Sequence, residues 1–514
     1  MVYRQTYIES HTKNEVRSVL SLSDYILQTT RVRQTPYRKV STYLSGKLRI
    51  KLFVVKLIQS YVGETVYVND DKQVLYQLTP HTRSLLAWLS TQGLLATWNF
   101  GRPLPTMTLS KSIYLMPEPI KVPGGGTYYA TGANGIGCAE SFDQAALSAI
   151  GEFIERNASA AYWWENNDLF IARHDNSTTR IDPTRFMGLA DNQYNTTRMI
   201  VPYESQNKLG WTSAIDFCTS KKCDVPASLV YMYYRYEFKN EPFFHEVSSN
   251  GAATYSNYQE ATSRAILELI ERHVFIRFWY HKQSVTKINT ESLASAFPVL
   301  QEFINYLPDS ESIAVYEVTN SLGVPTYIAT HINHNNSKTA FNITAASDIC
   351  AHDAIAKAIK EIVRFAEEQY SVTKDLSATV DFTSASELKT LANSLNNRRK
   401  LWSYQEMLPY VDWLNNSKEI NYDHVVSNHN SQLSAIDRYQ WLQNICLQNK
   451  VQIYIADVTN SVARYAGLHV VRALSPDLLS IFFKEEYQPL ANKLFTHNDS
   501  GKKVVINPIP HPFI

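Results

Sequence analysis

The chain has 514 residues, of which 44% are hydrophobic and 19% are charged, and this is enough apolar material for a large core or several domains. Its 49 lysines and arginines balance 48 acidic residues, so charge predicts neither nucleic acid nor an anionic membrane as a partner. Five scattered cysteines argue against a disulfide framework, and without a signal-peptide pattern or a membrane-spanning apolar run the sequence predicts a cytoplasmic protein.

The first 112 residues predict a small α/β region. Segments 52–57 and 64–68 have the composition of strands, and a helical segment follows near 84–89. A glycine-rich turn at 121–127 then marks the entry into a main body that comprises residues 113–514. Within that body, the polar range of about 371–435 is typical of a surface insertion.

The body contains an internal duplication. A shift of 116 residues aligns 134–163 with 250–279 without a gap, and ten of the thirty aligned positions are identical. Each copy begins with an Asn-Gly pair and continues with a helix N-cap, Ser141 or Asn257, three residues before Gln144 or Glu260. We therefore expect a loop followed by a capped helix in each copy, and 354–364 resembles a fainter third copy.

Three strand-turn-strand units accompany these helices. They comprise residues 215–217 with 225–230, 316–320 with 324–329, and 455–460 with 468–471. Sheet-plus-helix units that recur in this way predict an α+β body built from repeats.

Each of the two related helices carries a pair of glutamates three positions apart, Glu152 with Glu155 and Glu268 with Glu271. Residues at this spacing project from nearly the same side of a helix. The four carboxylates would converge if the copies packed face to face, and magnesium bound to a nucleoside triphosphate would relieve their repulsion. The alternative is a solvated ion pair with the arginine that follows each pair, which the duplication disfavours.

Nearby residues strengthen the prediction of a phosphate site. Arg264 lies one helical turn before Glu268, and Lys357 lies one turn before Glu361. The glycine run between Lys121 and Thr127 predicts either backbone N–H groups that wrap phosphates or a plain turn. The sequence contains neither a P-loop pattern nor a dinucleotide-binding glycine pattern, so these common nucleotide folds are excluded.

The two glutamate helices and their upstream Asn-Gly pairs resemble the YcaO family over about residues 115–514. The resemblance implies a YcaO-type fold in which ATP-bound magnesium is coordinated by Glu152, Glu155, Glu268 and Glu271. It also implies that Lys357 and Glu361 complete the nucleotide site. Family members often have serine or asparagine three positions before each first glutamate, where this chain has alanine.

The last residues form a P-x-P-x-P pattern with Pro508, Pro510 and Pro512. Family members with this ending form azolines. Such a tail is stiff and extended, so it can deliver the carboxylate of Ile514 to a set point at low entropic cost. That carboxylate, or the nearby His511 with its suitable unperturbed pKa, could move protons, and the carboxylate is favoured. The alternative is a disordered end.

The resemblance implies a cyclodehydratase that acts on a ribosomally made precursor peptide. A Cys, Ser or Thr side chain attacks the preceding carbonyl, ATP phosphorylates the resulting oxygen, and phosphate leaves to give a thiazoline or oxazoline. Thioamide-forming and amidine-forming members use the same nucleotide site, but the proline tail argues against them. A non-enzymatic ATP-binding scaffold is a further alternative, and retention of all four glutamates argues against it.

The resemblance also implies partners of the kind found in thiazole/oxazole-modified peptide synthetases. The N-terminal region is too short for a leader-binding module with a full E1-like domain, so we expect a separate E1-like protein to present the peptide. A flavin-dependent azoline dehydrogenase and a second copy of the chain, in a homodimer within a larger complex, are further expected partners.

Overall fold

The computed structural model describes residues 77–101, 109–117, 120–122, 126–128, 134–160, 168–175, 179–197, 199–234, 241–334, 339–368, 381–426 and 433–513. The chain forms two compact units, Met1–Asn157 and Ala158–Ile514. The proposed boundary after residue 112 stays a prediction, and the N-terminal strands predicted at 52–57 and 64–68 lie outside the described residues.

The first unit contains a helix where one was predicted, α1 (Pro80–Thr91), which the side chain of Thr79 caps. The other elements are β1 (Leu95–Gly101), β2 (Lys111–Pro117), β3 (Ile120–Val122), β4 (Gly126–Tyr128), β5 (Gly135–Ala139) and helix α2 (Phe142–Ala160), whose last residues belong to the second unit. Strands β1, β2 and β5 form an antiparallel sheet, and β3 pairs with β4.

Two glycines allow β5 to lie directly against α2. A Cβ atom on Gly135 would lie 2.1 Å from the carbonyl oxygen of Ala149, and one on Gly137 would lie 1.9 Å from that of Ala145. Both alanines are fully buried. Only glycine permits this approach, which holds the first glutamate helix against its strand.

The described residues of the second unit form two sheets. Its strands are β6 (Phe170–Arg173), β7 (Lys208–Asp216), β8 (Lys222–Pro226), β9 (Ala252–Tyr255), β10 (Thr286–Ile288), β11 (Glu311–Glu317), β12 (Thr326–Asn333), β13 (Phe341–Ser347), β14 (Lys418–Ile420), β15 (Tyr454–Asp457) and β16 (His469–Leu474). One sheet has the order β6-β7-β15-β16-β9 with β8 paired to β7, and the other has the order β13-β12-β11-β10-β14.

Helices of very different length surround these sheets. They are α3 (Asp191–Tyr194), α4 (Ala227–Val230), α5 (Tyr258–His281), α6 (Thr290–Ala296), α7 (Pro298–Tyr306), α8 (Ala351–Glu368), α9 (Ala385–Leu391), α10 (Leu395–Leu401), α11 (Tyr422–Val426), α12 (Ala435–Asn449), α13 (Ser461–Tyr465) and α14 (Lys493–Thr496). Short 3-10 helices span Pro183–Phe186, Gln405–Asn416 and Glu485–Tyr487. No helix among the described residues has both the length and the apolar character needed to cross a bilayer.

Two of the predicted strand-turn-strand units are confirmed as the antiparallel pairs β11–β12 and β15–β16. The unit of 215–217 with 225–230 is confirmed only in part as the pair β7–β8, because residues Ala227–Val230 form helix α4 instead of continuing the strand. The α+β class is confirmed as well. The predicted helix caps are also present: Gln144 N–H donates to Ser141 Oγ at 3.2 Å, and Glu260 N–H donates to Asn257 Oδ1 at 3.1 Å.

One detail of the repeat was wrong, because each Asn-Gly pair leads into a strand rather than a loop that runs to the helix. Strand β5 precedes α2, β9 precedes α5, and β13 precedes α8 in the third, fainter copy. Gly251 adopts a φ of +78°, whereas Gly135 provides the close approach to α2. The repeated module is therefore a strand, a short turn and a capped helix.

Helix α5 is the centre of the second unit. Of its 24 residues, 18 are buried, and it packs against β9 and β16 of one sheet, β12 and β13 of the other, and α12. A helix enclosed on most sides must pair any charge that it carries, because an isolated buried charge is strongly disfavoured. The partners of its acidic residues therefore define the site.

The range predicted as a surface insertion contributes to the core. Trp402 and Met407 are buried in it, and Arg398 has no exposed surface. The surface prediction is therefore wrong for the segment around α10 and the 3-10 helix Gln405–Asn416. Local polarity was misleading here, since the charge of Arg398 is neutralised by a distant partner, Glu485.

Candidate active site

The first glutamate of each pair has equivalent contacts in the two units. Glu152 Oε2 accepts the N–H of Ile136 at 2.9 Å, and Glu268 Oε2 accepts the N–H of Gly251 at 3.1 Å. In both cases Oε1 accepts a hydrogen bond at 3.3 Å from the arginine four residues later. The arginine pairing left open by the sequence is thus present, and each oxygen retains a lone pair for a further ligand.

The second glutamates differ in their surroundings. Glu155 Oε1 lies 3.8 Å from the guanidinium of Arg156. Glu271, only 2% exposed, accepts hydrogen bonds from Lys357 Nζ at 3.0 Å and from Ser347 N–H at 3.2 Å, and lies 3.0 Å from Arg272. Two cations and a backbone donor compensate its buried charge. Glu271 therefore links α5, β13 and α8.

The structure brings Lys357 and Glu361 together with Glu271. Burial acts to lower the pKa of Lys357, but the carboxylates of Glu271 and Glu361 hold that pKa above its ordinary value. Burial raises the pKa of Glu361, and Glu271 acts in the same direction. The predicted contribution of the third helix to this charged cluster is therefore present in the second unit.

Sequence reasoning missed a second group of ion pairs on α5. Glu260, interpreted only as a capping residue, is 7% exposed and pairs with Arg264 at 2.9 Å and with Arg438 at 3.5 Å. Arg438 also lies 2.8 Å from Asp348, just before α8. The spacing of Glu260, Arg264 and Glu268 on one helix stripe was a usable signal for Glu260. Nothing local indicated Arg438, which comes from α12.

The predicted phosphate turn is only partly described. Lys121 on β3 and Thr127 on β4 are directly paired across the hairpin. The glycines between them that lie outside the described residues include Gly124 and Gly125. A role for Lys121 and Thr127 in nucleotide binding stays a prediction.

The tail is ordered against α5 over residues 507–513. Asn507 N–H donates to the carbonyl of Tyr280 at 2.8 Å, and the indole N–H of Trp279 donates to the carbonyl of Ile509 at 2.8 Å. Pro510 and Pro512 of the motif are buried, whereas Pro508 is exposed. A disordered end is excluded for this segment.

The end of the described tail reaches the second glutamate pair. The guanidinium carbon of Arg272, the arginine that contacts Glu268 and Glu271, lies 4.3 Å from the ring centroid of Phe513. This is the range of a cation–π contact. Ile514, whose carboxylate was predicted to move protons, lies outside the described residues, and its role stays a prediction.

His511 has the contacts of a structural residue. It is fully buried, its Nε2 lies 2.9 Å from the carbonyl oxygen of Phe482, and its own carbonyl accepts a hydrogen bond from Arg398 at 2.7 Å. Burial holds the pKa of His511 well below its usual value. An enclosed neutral imidazole that donates to a carbonyl is poorly suited to exchange protons with a substrate, which leaves the terminal carboxylate as the candidate.

The donor groups fit magnesium and phosphate. The described part of the chain contains no group of three His, Cys, Asp or Glu side chains that could by itself form a metal-binding cluster. Magnesium does not require one, because it is usually held by one or two carboxylates together with substrate phosphates and waters. Glu268 offers carboxylate oxygens, and Arg272 and Lys357 are suitable phosphate donors. Convergence of the two glutamate pairs stays a prediction.

Comparison with known proteins identifies a family match. Residues 136–479 match the model of a family described as YcaO cyclodehydratase, ATP- and Mg²⁺-binding. No curated protein matches the chain in sequence.

Solved structures with a similar fold include a heterocyclase in complex with substrate and cofactor, with a TM-score of 0.63 and 16% identity over 86% of this chain and 56% of that chain. The heterocyclase TruD has a TM-score of 0.53 and 15% identity over 92% of this chain and 71% of that chain. YcaO from Methanopyrus kandleri, bound with AMPPCP and Mg²⁺, has a TM-score of 0.49 and 14% identity over 80% of this chain and 96% of that chain.

The similarity to the first two structures shows the fold, and the chain spans little more than half the length of the first, 56%. The family model covers more than half of the chain and includes both glutamate pairs, Lys357 and Glu361, whereas the proline tail lies outside the match. The chain therefore belongs to the YcaO family, with ATP and Mg²⁺ as its cofactors.

Proposed function

We propose that the protein is an ATP- and Mg²⁺-dependent cyclodehydratase that converts Cys, Ser or Thr residues of a precursor peptide to azolines. The observation that carries this proposal is the packing of the proline tail on α5, the helix of the second glutamate pair. Phe513 lies against Arg272, which contacts both glutamates of that pair. The tail thereby approaches the residues proposed to hold the nucleotide.

Metal binding, phosphate binding and proton transfer would be carried out by different residues of the chain. Glu152, Glu155, Glu268 and Glu271 would hold magnesium, while Lys357 and Arg272 would neutralise phosphate charge. ATP, when bound, would supply the phosphoryl group that makes the amide oxygen a good leaving group. The carboxylate of Ile514 would accept the proton of the attacking side chain.

We also propose the partners that this reaction needs. An E1-like protein would present the precursor peptide, a flavin-dependent dehydrogenase would oxidise azolines to azoles, and the chain would act as a homodimer in that complex. The heterocyclase with 16% identity was solved in complex with substrate and cofactor, which supports a heterocyclase role by analogy of fold.

Mass spectrometry tests the reaction. The chain is incubated with ATP, magnesium, a candidate precursor and its presenting protein. The proposal predicts that the peptide loses the mass of one water per ring. Exchange of oxygen for sulfur would instead indicate thioamide formation, and an unmodified peptide despite tight ATP binding would indicate a scaffold. Either result contradicts azoline formation.

Substitutions test the assigned roles. We expect Glu155→Gln and Glu271→Gln to abolish ATP use, and wild-type turnover in both would refute the magnesium assignment. Deletion of 508–514 would disturb the buried tail contacts as well as the chemistry. A single glycine added after Ile514 is the sharper test, because it displaces the carboxylate while it leaves 507–513 intact. Full cyclisation with that extension would exclude the carboxylate.

A further inference from the structure

The second unit contains a cavity of about 110 Å³ beside the turn at Asn250-Gly251. Its lining comes mainly from residues 185–189, 244–250 and 472–482. Two polar side chains in this lining are almost fully enclosed, Arg472 at 3% and Asn250 at 6% exposure. Among the described residues of this unit, Glu268, Glu271, Lys357 and Glu361 do not contribute to the lining, so the cavity is separate from that charged cluster.

Asn250 presents an unpaired amide here. Neither its Oδ1 nor its Nδ2 has a hydrogen-bond partner among the described residues, and the same holds for Nδ1 of His245 in the same lining. The turn restrains Asn250, because its N–H donates to Ser248 Oγ at 3.2 Å and Gly251 has a φ of +78°. A buried amide without partners is costly, so its presence calls for a ligand that supplies both a donor and an acceptor.

The lining favours a neutral ligand that contains amides. A side-chain amide offers one donor and one acceptor side by side, which complement the C=O and N–H of a peptide bond. Burial lowers the pKa of His245 to about 4, so its ring is neutral at pH 7. Burial raises the pKa of Glu246 to about 7, which favours its neutral form relative to an ordinary carboxyl group.

The cavity lies next to both parts of the proposed machinery. On one side, Gly251 donates its N–H to the carboxylate of Glu268 at 3.1 Å. In another wall, the carbonyl of Phe482 accepts a hydrogen bond from His511 of the tail at 2.9 Å. Asn250 directly precedes Gly251, the backbone donor to Glu268. A ligand that contacts Asn250 would therefore lie one residue away from the donor to this proposed magnesium ligand.

We propose that this cavity binds a backbone amide of the peptide substrate, with the side-chain amide of Asn250 paired to that amide. The inference rests on the proposed function and adds a substrate-binding residue outside the nucleotide cluster.

Binding of a model diamide to the full chain tests the proposal. The probe is N-acetylcysteine N-methylamide, followed by ligand-observed NMR in wild type and Asn250→Leu. Loss of two neutral hydrogen bonds should weaken binding about tenfold. The melting temperature should hold or rise, because leucine removes an unpaired buried amide. The control is Asn305→Leu at an exposed position on α7, which should bind the probe as wild type does.

The outcomes separate this inference from the proposed function. Undetectable binding to wild type, or equal affinity in Asn250→Leu, would overturn the amide site. A lower melting temperature with unchanged affinity would give Asn250 a purely structural role, and binding of acetate in place of the diamide would make the cavity an anion site; both overturn the inference. Diamide binding that depends on Asn250, together with unmodified peptides in the presence of ATP, supports the site and contradicts azoline formation.

Discussion

The guanidinium of Arg398 donates a hydrogen bond of 2.7 Å to the backbone carbonyl of His511, 113 residues later in the chain. The same side chain lies 2.9 Å from the carboxylate of Glu485 and donates to the carbonyl of Phe483 at 3.0 Å. Glu485 in turn accepts a hydrogen bond from the hydroxyl of Tyr280 at 2.9 Å. A buried ion pair whose charges are each hydrogen-bonded therefore fastens the tail to α5.

We expect Arg398→Met to destabilise the protein by about 3–5 kcal/mol, because the substitution leaves the carboxylate of Glu485 buried without its cation. Urea denaturation measures the loss, and hydrogen exchange should show faster exchange in 507–513. The adjacent, partly exposed Arg399 provides the matched control, Arg399→Met. Equal losses in the two variants would argue against a specific role of the buried pair.

The contact between β5 and α2 predicts opposite effects for two glycines. In Gly137→Ala the new methyl group would collide with the carbonyl of Ala145, so we expect a loss of about 1–3 kcal/mol. A Cβ atom on Gly151 meets nothing within 4 Å, and Gly151→Ala should stabilise the helix by about 0.5–1 kcal/mol. Urea denaturation of both variants measures the difference. Stabilisation by Gly137→Ala would contradict the close approach.

Acid should weaken the attachment of the tail through His511. Burial lowers its pKa in the folded protein well below the ordinary value of 6.5. Below about pH 6.5 the histidine is therefore protonated in the unfolded chain but stays neutral in the folded protein. The free energy of unfolding falls as the pH drops below this value. In His511→Gln, the side-chain amide can still donate to the carbonyl of Phe482. We expect its melting temperature to fall less than that of wild type between pH 8 and pH 5; parallel curves would contradict this assignment.

Glu246 should act in the opposite direction. Burial raises its pKa in the folded protein from 4.5 to about 7. Between these two pH values the folded state binds more protons than the unfolded state. The contribution of Glu246 to the free energy of unfolding therefore falls as the pH rises from about 4.5 to 7. Glu246→Gln imitates the protonated form and should melt higher than wild type at pH 8 but not at pH 4. The exposed Glu204→Gln is the control, and an equal pH response in both variants would refute the prediction.

Local spacing was sufficient to predict much of the fold and part of the site. The caps at Ser141 and Asn257, the glutamate pairs and the three strand pairs depend on residues close in sequence, where helix and strand periods determine which side chains share a face. The same rule places Lys357 beside Glu361 on α8. It does not reach Arg438 or Asp348, because these residues meet Glu260 only when α12 and the start of α8 pack against α5.

The sequence alone determined a duplicated strand-and-helix module with paired glutamates, and with it a YcaO resemblance and a magnesium–nucleotide chemistry. Only the tertiary structure decided which charged and polar groups are enclosed. Arg398 looked like part of a solvated insertion, His511 like a proton carrier and Asn250 like a turn residue. Each is buried by segments far away in the chain, and burial, rather than residue type, sets the protonation state of a group and the partner that it requires.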